Sequence, residues 1–178
     1  MTMPAIRPAD AADIPAITAI YAHAVQHGTA SWELDPPDAT EMLRRQEAIL
    51  AGGYPYLVAE RGSAILGYAY AGAYRPRPAY RATVENSIYI APEAQGYGVG
   101  AALLDALMTA CAARGFRQMI AVIGDGTGAS VGSRRLHERA GFRLIGVAEK
   151  VGYKHGRWLD QMLMQKELGE GDRAPPDV

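Results

Sequence analysis

The segment Gln95-Gly96-Tyr97-Gly98-Val99-Gly100 is suited to holding an anion. Glycines let the main chain approach a ligand closely, and the apolar run that follows reads as a helix whose first N–H groups have no partner of their own. A pyrophosphate fits such a place. The segment lacks the Gly-Lys-Ser/Thr ending of a P-loop, so the lysine and the magnesium ligand of a nucleoside triphosphate site are missing. Its glycines run Gly96-x-Gly98-x-Gly100, not G-x-G-x-x-G, which makes it a poor dinucleotide fingerprint. Taken alone, it is equally compatible with a plain helix-entry turn.

Other side chains carry chemistry at informative positions. Alternate residues of an extended run share a face, so within Thr83–Ile90 the side chains of Glu85, Ser87 and Tyr89 point one way and those of Val84, Asn86, Ile88 and Ile90 the other. Glu85 then faces a cleft or solvent, as a proton acceptor or as an ordinary strand glutamate. His137 stands near the end of a helical run, where a histidine complements the helix dipole or, with a reference pKa of about 6.5, exchanges protons near neutral pH. Arg75-Pro76-Arg77-Pro78 offers two guanidinium groups on a loop stiffened by proline, able to clamp carboxylates or to remain solvated. Trp32, Tyr74 and Tyr80 are candidate pocket walls or core aromatics. No His/Cys cluster has metal-ligand spacing, so no metal is expected.

These residues need elements to hold them. Extended structure at 5–7 leads into a helix at about 13–26 with Ile14, Ile17, Ile20, Tyr21, Ala24 and Val25 at helical spacing. Asp38-Ala-Thr-Glu41 has capping-box spacing and opens a second helix to about residue 50, stopped by Gly52-Gly53. Strands at 56–60 and Ala64–Ala73 read as a hairpin about Arg61-Gly62-Ser63, and a third strand follows at Thr83–Ile90. Then come a helix at 99–114, a strand at 119–123, a helix at 133–139 and strands at 142–147 and 158–166. The order is mixed α/β, with a hairpin early and two strand-helix-strand passages late.

At 178 residues, 49% hydrophobic and 21% charged, the chain has the size and composition of one compact domain, 1–168, followed by a loose tail, 169–178. A net charge of -1 and a pI near 6.4 provide no overall basic field for nucleic acid or an anionic membrane. No apolar run approaches about 18 residues, so a cytoplasmic location is expected. The single cysteine, Cys111, cannot form an internal disulfide and lies in an apolar run, as a buried thiol would.

Gln95, Gly98 and Gly100 match the Q/R-x-x-G-x-G/A acyl-CoA signature, and the whole element order resembles the GNAT superfamily. The resemblance narrows at Thr83-Val84-Glu85-Asn86-Ser87-Ile88-Tyr89-Ile90, at Leu136-His137-Glu138-Arg139-Ala140-Gly141-Phe142 and at Gly152-Tyr153-Lys154-His155-Gly156-Arg157-Trp158-Leu159-Asp160. Together these blocks are similar to the phosphinothricin and methionine sulfoximine N-acetyltransferase branch. The resemblance implies a central mixed sheet with splayed strands flanked by helices, and acetyl-CoA as co-substrate. The backbone of Ile88, Tyr89 and Ile90 would hold pantetheine, and the amides from Gln95 through Gly96, Tyr97, Gly98, Val99 and Gly100 to Ala101 the pyrophosphate. Ser133 and Ser130 would add cofactor contacts, Ser130 standing where the branch usually has Asn. Arg75, Arg77, Glu85, Asn86 and Ser87 would bind an amino-acid-like amine such as phosphinothricin, methionine sulfoximine or methionine sulfone.

In that setting Glu85 is the base that frees the amine, directly or through one water, and His137 is the acid that protonates the departing thiolate. Transfer would be direct, in a ternary complex. Lys154, His155 and Arg157 are family-like residues near the pocket without an assigned role. The resemblance also implies a homodimer. Acetylation of other small amines or protein N-termini, and acyl-CoA binding without turnover, remain as alternatives.

Overall fold

The computed structural model describes residues 3–126, 128 and 130–176; residues 127 and 129 of the glycine-rich loop, and both extreme ends of the domain and tail expected from sequence, lie outside them. Seven strands, β1 (Ala5–Pro8), β2 (Tyr56–Arg61), β3 (Ala64–Ala73), β4 (Thr83–Ile90), β5 (Gln118–Gly124), β6 (Arg143–Lys154) and β7 (Arg157–Glu167), form one sheet in the order β1-β2-β3-β4-β5-β7-β6. Every neighbouring pair is antiparallel except β4 and β5, which are parallel across the helix between them. In β2, Tyr56 through Ala59 are all buried, the pattern of a strand covered on both faces.

Four helices provide that cover: α1 (Ile14–His27), α2 (Ala39–Ala51), α3 (Val99–Ala113) and α4 (Val131–Arg139). The side-chain alternation of β4 sorts them. Tyr89 meets Tyr21 of α1 edge-on at 4.9 Å, whereas Ile90 lies on the opposite face, beside Gly100 of α3. A Cβ on Gly100 would sit 3.3 Å from Leu136 of α4, so this glycine lets the two helices close together. The buried stripe of α1 is Ile14, Ile17, Ile20, Tyr21 and Val25, and α3 buries Leu103, Leu104, Leu107 and Cys111.

Capping differs in detail from the sequence expectation. Asp38 accepts from the Glu41 N–H at 2.8 Å, but the Glu41 carboxylate turns to Arg44 and Arg45, so only half of the expected capping box forms. A complete box occurs instead at Asp10–Asp13. Arg7 of β1 forks onto Asp13 at 2.7 and 2.8 Å and reaches Glu60 of β2 at 2.8 Å, which ties the start of α1 to the sheet.

Two further expectations shift. The last helix begins at Val131 rather than 133, and β6 runs on to Lys154 rather than ending at 147. Register shifts after Leu144 and after Ala148 break the alternation that would have revealed the longer strand. Its hairpin to β7 turns at His155-Gly156, with φ of 51° and 73°, a pair of positive angles that matches the sheet's twist. At the end of the domain the Leu168 N–H donates to the Arg117 carbonyl at 2.9 Å, and Arg117 pairs with Glu170 at 3.0 Å.

Candidate functional site

Beyond one rung of the sheet, β4 and β5 part. They pair only from Thr83↔Gln118 to Asn86↔Ala121. From there β4 continues to Ile90 on β3, while β5 continues to Gly124 on β7. The Ala91 N–H donates to the Leu66 carbonyl, which fixes the alternation: odd-numbered residues of β4 exchange hydrogen bonds with β3. The main-chain groups of Ile88 and Ile90 therefore face the gap. The segment proposed from sequence for pantetheine thus borders an unpaired strand edge.

A cavity of about 400 Å³ occupies this gap. Glu85 through Tyr89 form one wall and Val122 through Gly124 the other; α4 contributes Ser133 and His137 and its N-cap Ser130, and the loop after α1 closes the top with residues 30–33. At the neighbouring helix start, Gly96 and Gly98 have φ of 81° and 84°, a region open to glycine and strained for other residues. Gly98 is the N-cap of α3, and the helix has no acid in its first turn. The first hydrogen bond of α3 runs from the Ala102 N–H to the Gly98 carbonyl, so the amides of Val99, Gly100 and Ala101 precede the helical ladder. Tyr97 is exposed and Val99 buried. Gln95 donates to the Ile90 carbonyl at 3.4 Å, bracing the loop against the end of β4. An unpaired strand edge leading to a helix N-terminus without acid suits an acyl chain joined to a pyrophosphate.

Glu85 is partly buried in the cavity wall. Burial raises its pKa, and the charge of Arg75 partly opposes that rise. A carboxylate so placed is a stronger base than one in water. Ser87 on the same face bonds the hydroxyl of the half-buried Tyr70. Asn86, on the opposite face, is bonded by its Nδ2 to His137 Nε2 at 2.9 Å. His137 Nδ1 reaches the Ser133 carbonyl at 2.8 Å, and burial lowers the imidazole pKa against the opposing effect of that bond. Ser130 is buried with its hydroxyl 3.1 Å from that of Thr29, a polar partner within the protein.

The two arginines are elsewhere in this arrangement. Arg75 lies over the Tyr74 ring at 5.1 Å, Arg77 is exposed, and neither lines the cavity. Tyr74 and Tyr80 pack on each other edge-on at 5.7 Å; of the three aromatics considered from sequence, Trp32 alone lines the cavity. Its indole is confined between two glycines. A Cβ on Gly124 would lie 2.2 Å from the Trp32 ring nitrogen, and one on Gly152 would lie 2.4 Å from the ring.

Sequence reading missed a polar group at the cavity's edge. The Tyr21 hydroxyl bonds Ser31 at 2.9 Å and Glu33 at 2.8 Å; burial is the main cause of its pKa rising to about 12. For Glu33, burial pushes the pKa up but hydrogen bonds from Arg45 and Tyr21 outweigh it, and the net shift is down. Tyr21 carried only the signal of a buried helix stripe, and a loop glutamate carries none. The three residues left without roles prove to be braces. Lys154, buried, donates to the Ser31 carbonyl at 2.6 Å, His155 bonds the Gly28 carbonyl at 3.1 Å, and Arg157 pairs with Asp125 at 2.5 Å. They hold the β6–β7 hairpin to the loop that roofs the cavity and to the end of β5. Among the described residues, no group of three or more His, Cys, Asp or Glu is placed to hold a metal ion.

Comparison with known proteins agrees with this architecture. Residues 4–163 match the family described as acetyltransferase (GNAT) domain. A phosphinothricin N-acetyltransferase from Alcaligenes faecalis is 55% identical over 166 residues, covering 93% of this chain and 83% of the relative. An L-methionine sulfoximine/L-methionine sulfone acetyltransferase from Pseudomonas paraeruginosa is 42% identical over 171 residues, covering 96% of this chain and 98% of the relative. Among solved structures, a GNAT superfamily phosphinothricin acetyltransferase from Sinorhizobium meliloti in complex with acetyl-CoA superposes with a TM-score of 0.94 at 50% identity, covering 98% of this chain and 94% of that one. With its strands parting over the cavity and its glycine loop at the start of α3, this chain belongs to the GNAT acetyltransferase family.

Proposed function

We propose that the protein transfers the acetyl group of acetyl-CoA to the amine of a small amino-acid-like substrate of the phosphinothricin, methionine sulfoximine or methionine sulfone kind. The observation that carries this reading is the gap between β4 and β5, with Glu85 in its wall and the amides of Ile88 and Ile90 along its edge. When bound, acetyl-CoA supplies a thioester whose carbonyl an amine can attack. The amides from Gln95 to Ala101 hold its pyrophosphate, with further contacts from Ser133 and, in place of the usual Asn, Ser130. An aliphatic amine with a pKa of about 10.4 is mostly protonated at neutral pH, and Glu85 takes the proton that must leave before attack. A main-chain N–H of the 88–90 segment stabilises the carbonyl oxygen as charge develops there. The nitrogen sheds a second proton after attack, and the departing sulfur, with a thiol pKa of about 8.5, takes up one.

Arg75 and Arg77 are the proposed clamp for the substrate's acidic groups, closing over the cavity beside Asn86 and Ser87. Each charge-assisted contact contributes about 1.5–3 kcal/mol, equivalent to roughly ten- to a hundredfold in kcat/KM. A second reading, acetylation of plain amines or protein N-termini, is favoured by one observation: the cavity as it stands is lined by Glu85 and Glu33 and by neither arginine. Thiol release from acetyl-CoA should be measured with phosphinothricin, methionine sulfoximine, methionine sulfone and the decarboxylated amine of methionine sulfoximine. Strong preference for the amino acids is expected. Equal use of the decarboxylated amine moves the second reading ahead, and no release with any amine leaves acyl-CoA binding without turnover.

The proposed assembly is a homodimer, supported by the apolar β6 edge, where Leu144, Ile145, Val147 and Val151 are all exposed. The proposed location is the cytoplasm. A buried lone thiol suits a reducing compartment, and among the described residues no helix is long and apolar enough to cross a membrane.

A further inference from the structure

A backbone carbonyl can only accept, so the 2.8 Å contact between His137 Nδ1 and the Ser133 carbonyl puts a proton on Nδ1. In a neutral imidazole Nε2 then carries a lone pair, and the group facing it at 2.9 Å is the amide nitrogen of Asn86, a donor. Both contacts are satisfied together by one neutral tautomer. The acid expected at this position would need its proton on Nε2, where it would point at the Asn86 N–H. His137 is 3% exposed, and the Phe142 ring abuts it edge-on at 4.9 Å, so the imidazole has little freedom to turn.

Asn86 occupies the last rung before β4 and β5 part and lines the cavity. With its Nδ2 engaged by His137, the end of its amide left for the cavity is the oxygen Oδ1. We propose that His137 is a positioning residue: as a neutral hydrogen-bond acceptor it locks Asn86 so that Oδ1 faces the point where the strands part and accepts an N–H of the attacking amine. Such a contact orients the nitrogen lone pair toward the thioester while Glu85, on the other face of the same strand, takes the proton. The inference rests on the acetyl-transfer reading for the ligand, but the tautomer does not.

The test has two arms. Nitrogen-15 NMR of the histidine-labelled protein at neutral pH reads the tautomer directly. A protonated Nδ1 with an unprotonated Nε2 is expected; a proton on Nε2, or on both nitrogens, overturns the proposal. In the second arm, thiol-release kinetics across pH compare His137→Gln, whose amide reaches about as far as Nε2 and can accept, with His137→Phe, which fills the space without accepting. Glu85 and Tyr89 from β4, Tyr21 from α1 and Glu33 from the loop after it also face the cavity, so the pH dependence that remains in His137→Gln belongs to them.

His137→Gln should stay within about fivefold of wild type with an unchanged pH profile. His137→Phe and Asn86→Ala should each lose about ten- to a hundredfold in kcat/KM for the amine, with the KM for acetyl-CoA unchanged and the double variant no worse than either single one. If Gln falls as far as Phe and both lose an alkaline limb present in wild type, His137 is an acid and the proposal fails. Should no amine release thiol, the acetyl-transfer reading fails instead, and the tautomer measurement still decides the state of His137.

Discussion

Glu85 shows how position changes the chemistry of an ordinary carboxylate. Burial favours its neutral form and raises its pKa, while Arg75 favours the charged form and pulls it back. As a base it works only when deprotonated, so kcat/KM for the amine should climb with pH as Glu85 loses its proton. Because the pKa is raised, that climb should lie above the ordinary glutamate value of about 4.3. Removing the opposing charge by Arg75→Ala should move the acid limb further up in pH. Glu85→Gln keeps the shape and removes the proton acceptor; steady-state kinetics should show turnover reduced on the order of 10²–10⁴, with calorimetric affinity for acetyl-CoA unchanged. A variant as fast as wild type would return Glu85 to the sheet surface. Cys111 illustrates the opposite outcome: burial pushes its thiol up to about 12, which leaves no reactive thiolate near neutral pH.

At the scale of elements, β5, β6 and the loop after α1 are locked together by one side chain. Trp32 fills a slot bounded by Gly124 of β5 and Gly152 of β6, and neither position has room for a methyl group. Gly152→Ala should therefore displace the indole, costing about 1–3 kcal/mol by overpacking and altering the KM for the amine, since Trp32 lines the cavity. Thermal unfolding together with kinetics checks both effects. Gly72→Ala in β3 is the control, because a Cβ there meets nothing within 4 Å. An unchanged melting temperature and KM for Gly152→Ala would show that the ring moves freely and that Trp32 does not set the cavity's width. The Lys154 and His155 contacts to residues 31 and 28 add polar ties to the same junction, so the hairpin acts as the roof's support.

For the whole molecule, the sheet ends on β6, an edge strand twelve residues long. Leu144, Ile145, Val147 and Val151 on it are each 41–51% exposed, and Tyr153 and Trp158 at its hairpin reach 59–60%. Edges of this length and composition are ordinarily shielded, because their free N–H and C=O groups and apolar side chains recruit another chain. Sedimentation at micromolar concentration should find a dimer, and Val147→Glu should shift it toward monomer by placing a charge in the buried contact. A wild-type monomer under those conditions removes the dimer from the proposal.

Much of this protein was legible in its chain. Apolar spacing determined α1 and α3, the limits of β4 matched the alternating run Thr83–Ile90, and the glycines of Gln95–Gly100 marked a helix entry whose positive φ angles only glycine adopts without strain. These are local properties, set by backbone sterics and by which face of a short segment is apolar. Tertiary structure decided what depends on partners distant in sequence. The group that meets His137 Nε2 is Asn86, 51 residues away, and Lys154 became a brace through a carbonyl 123 residues away. The length of β6 was hidden because irregular pairing with β7 broke its alternation. The parting of β4 from β5 has no local signal either: beyond Asn86 and Ala121 each strand stays with its other neighbour, β4 with β3 and β5 with β7, which comes from the end of the chain.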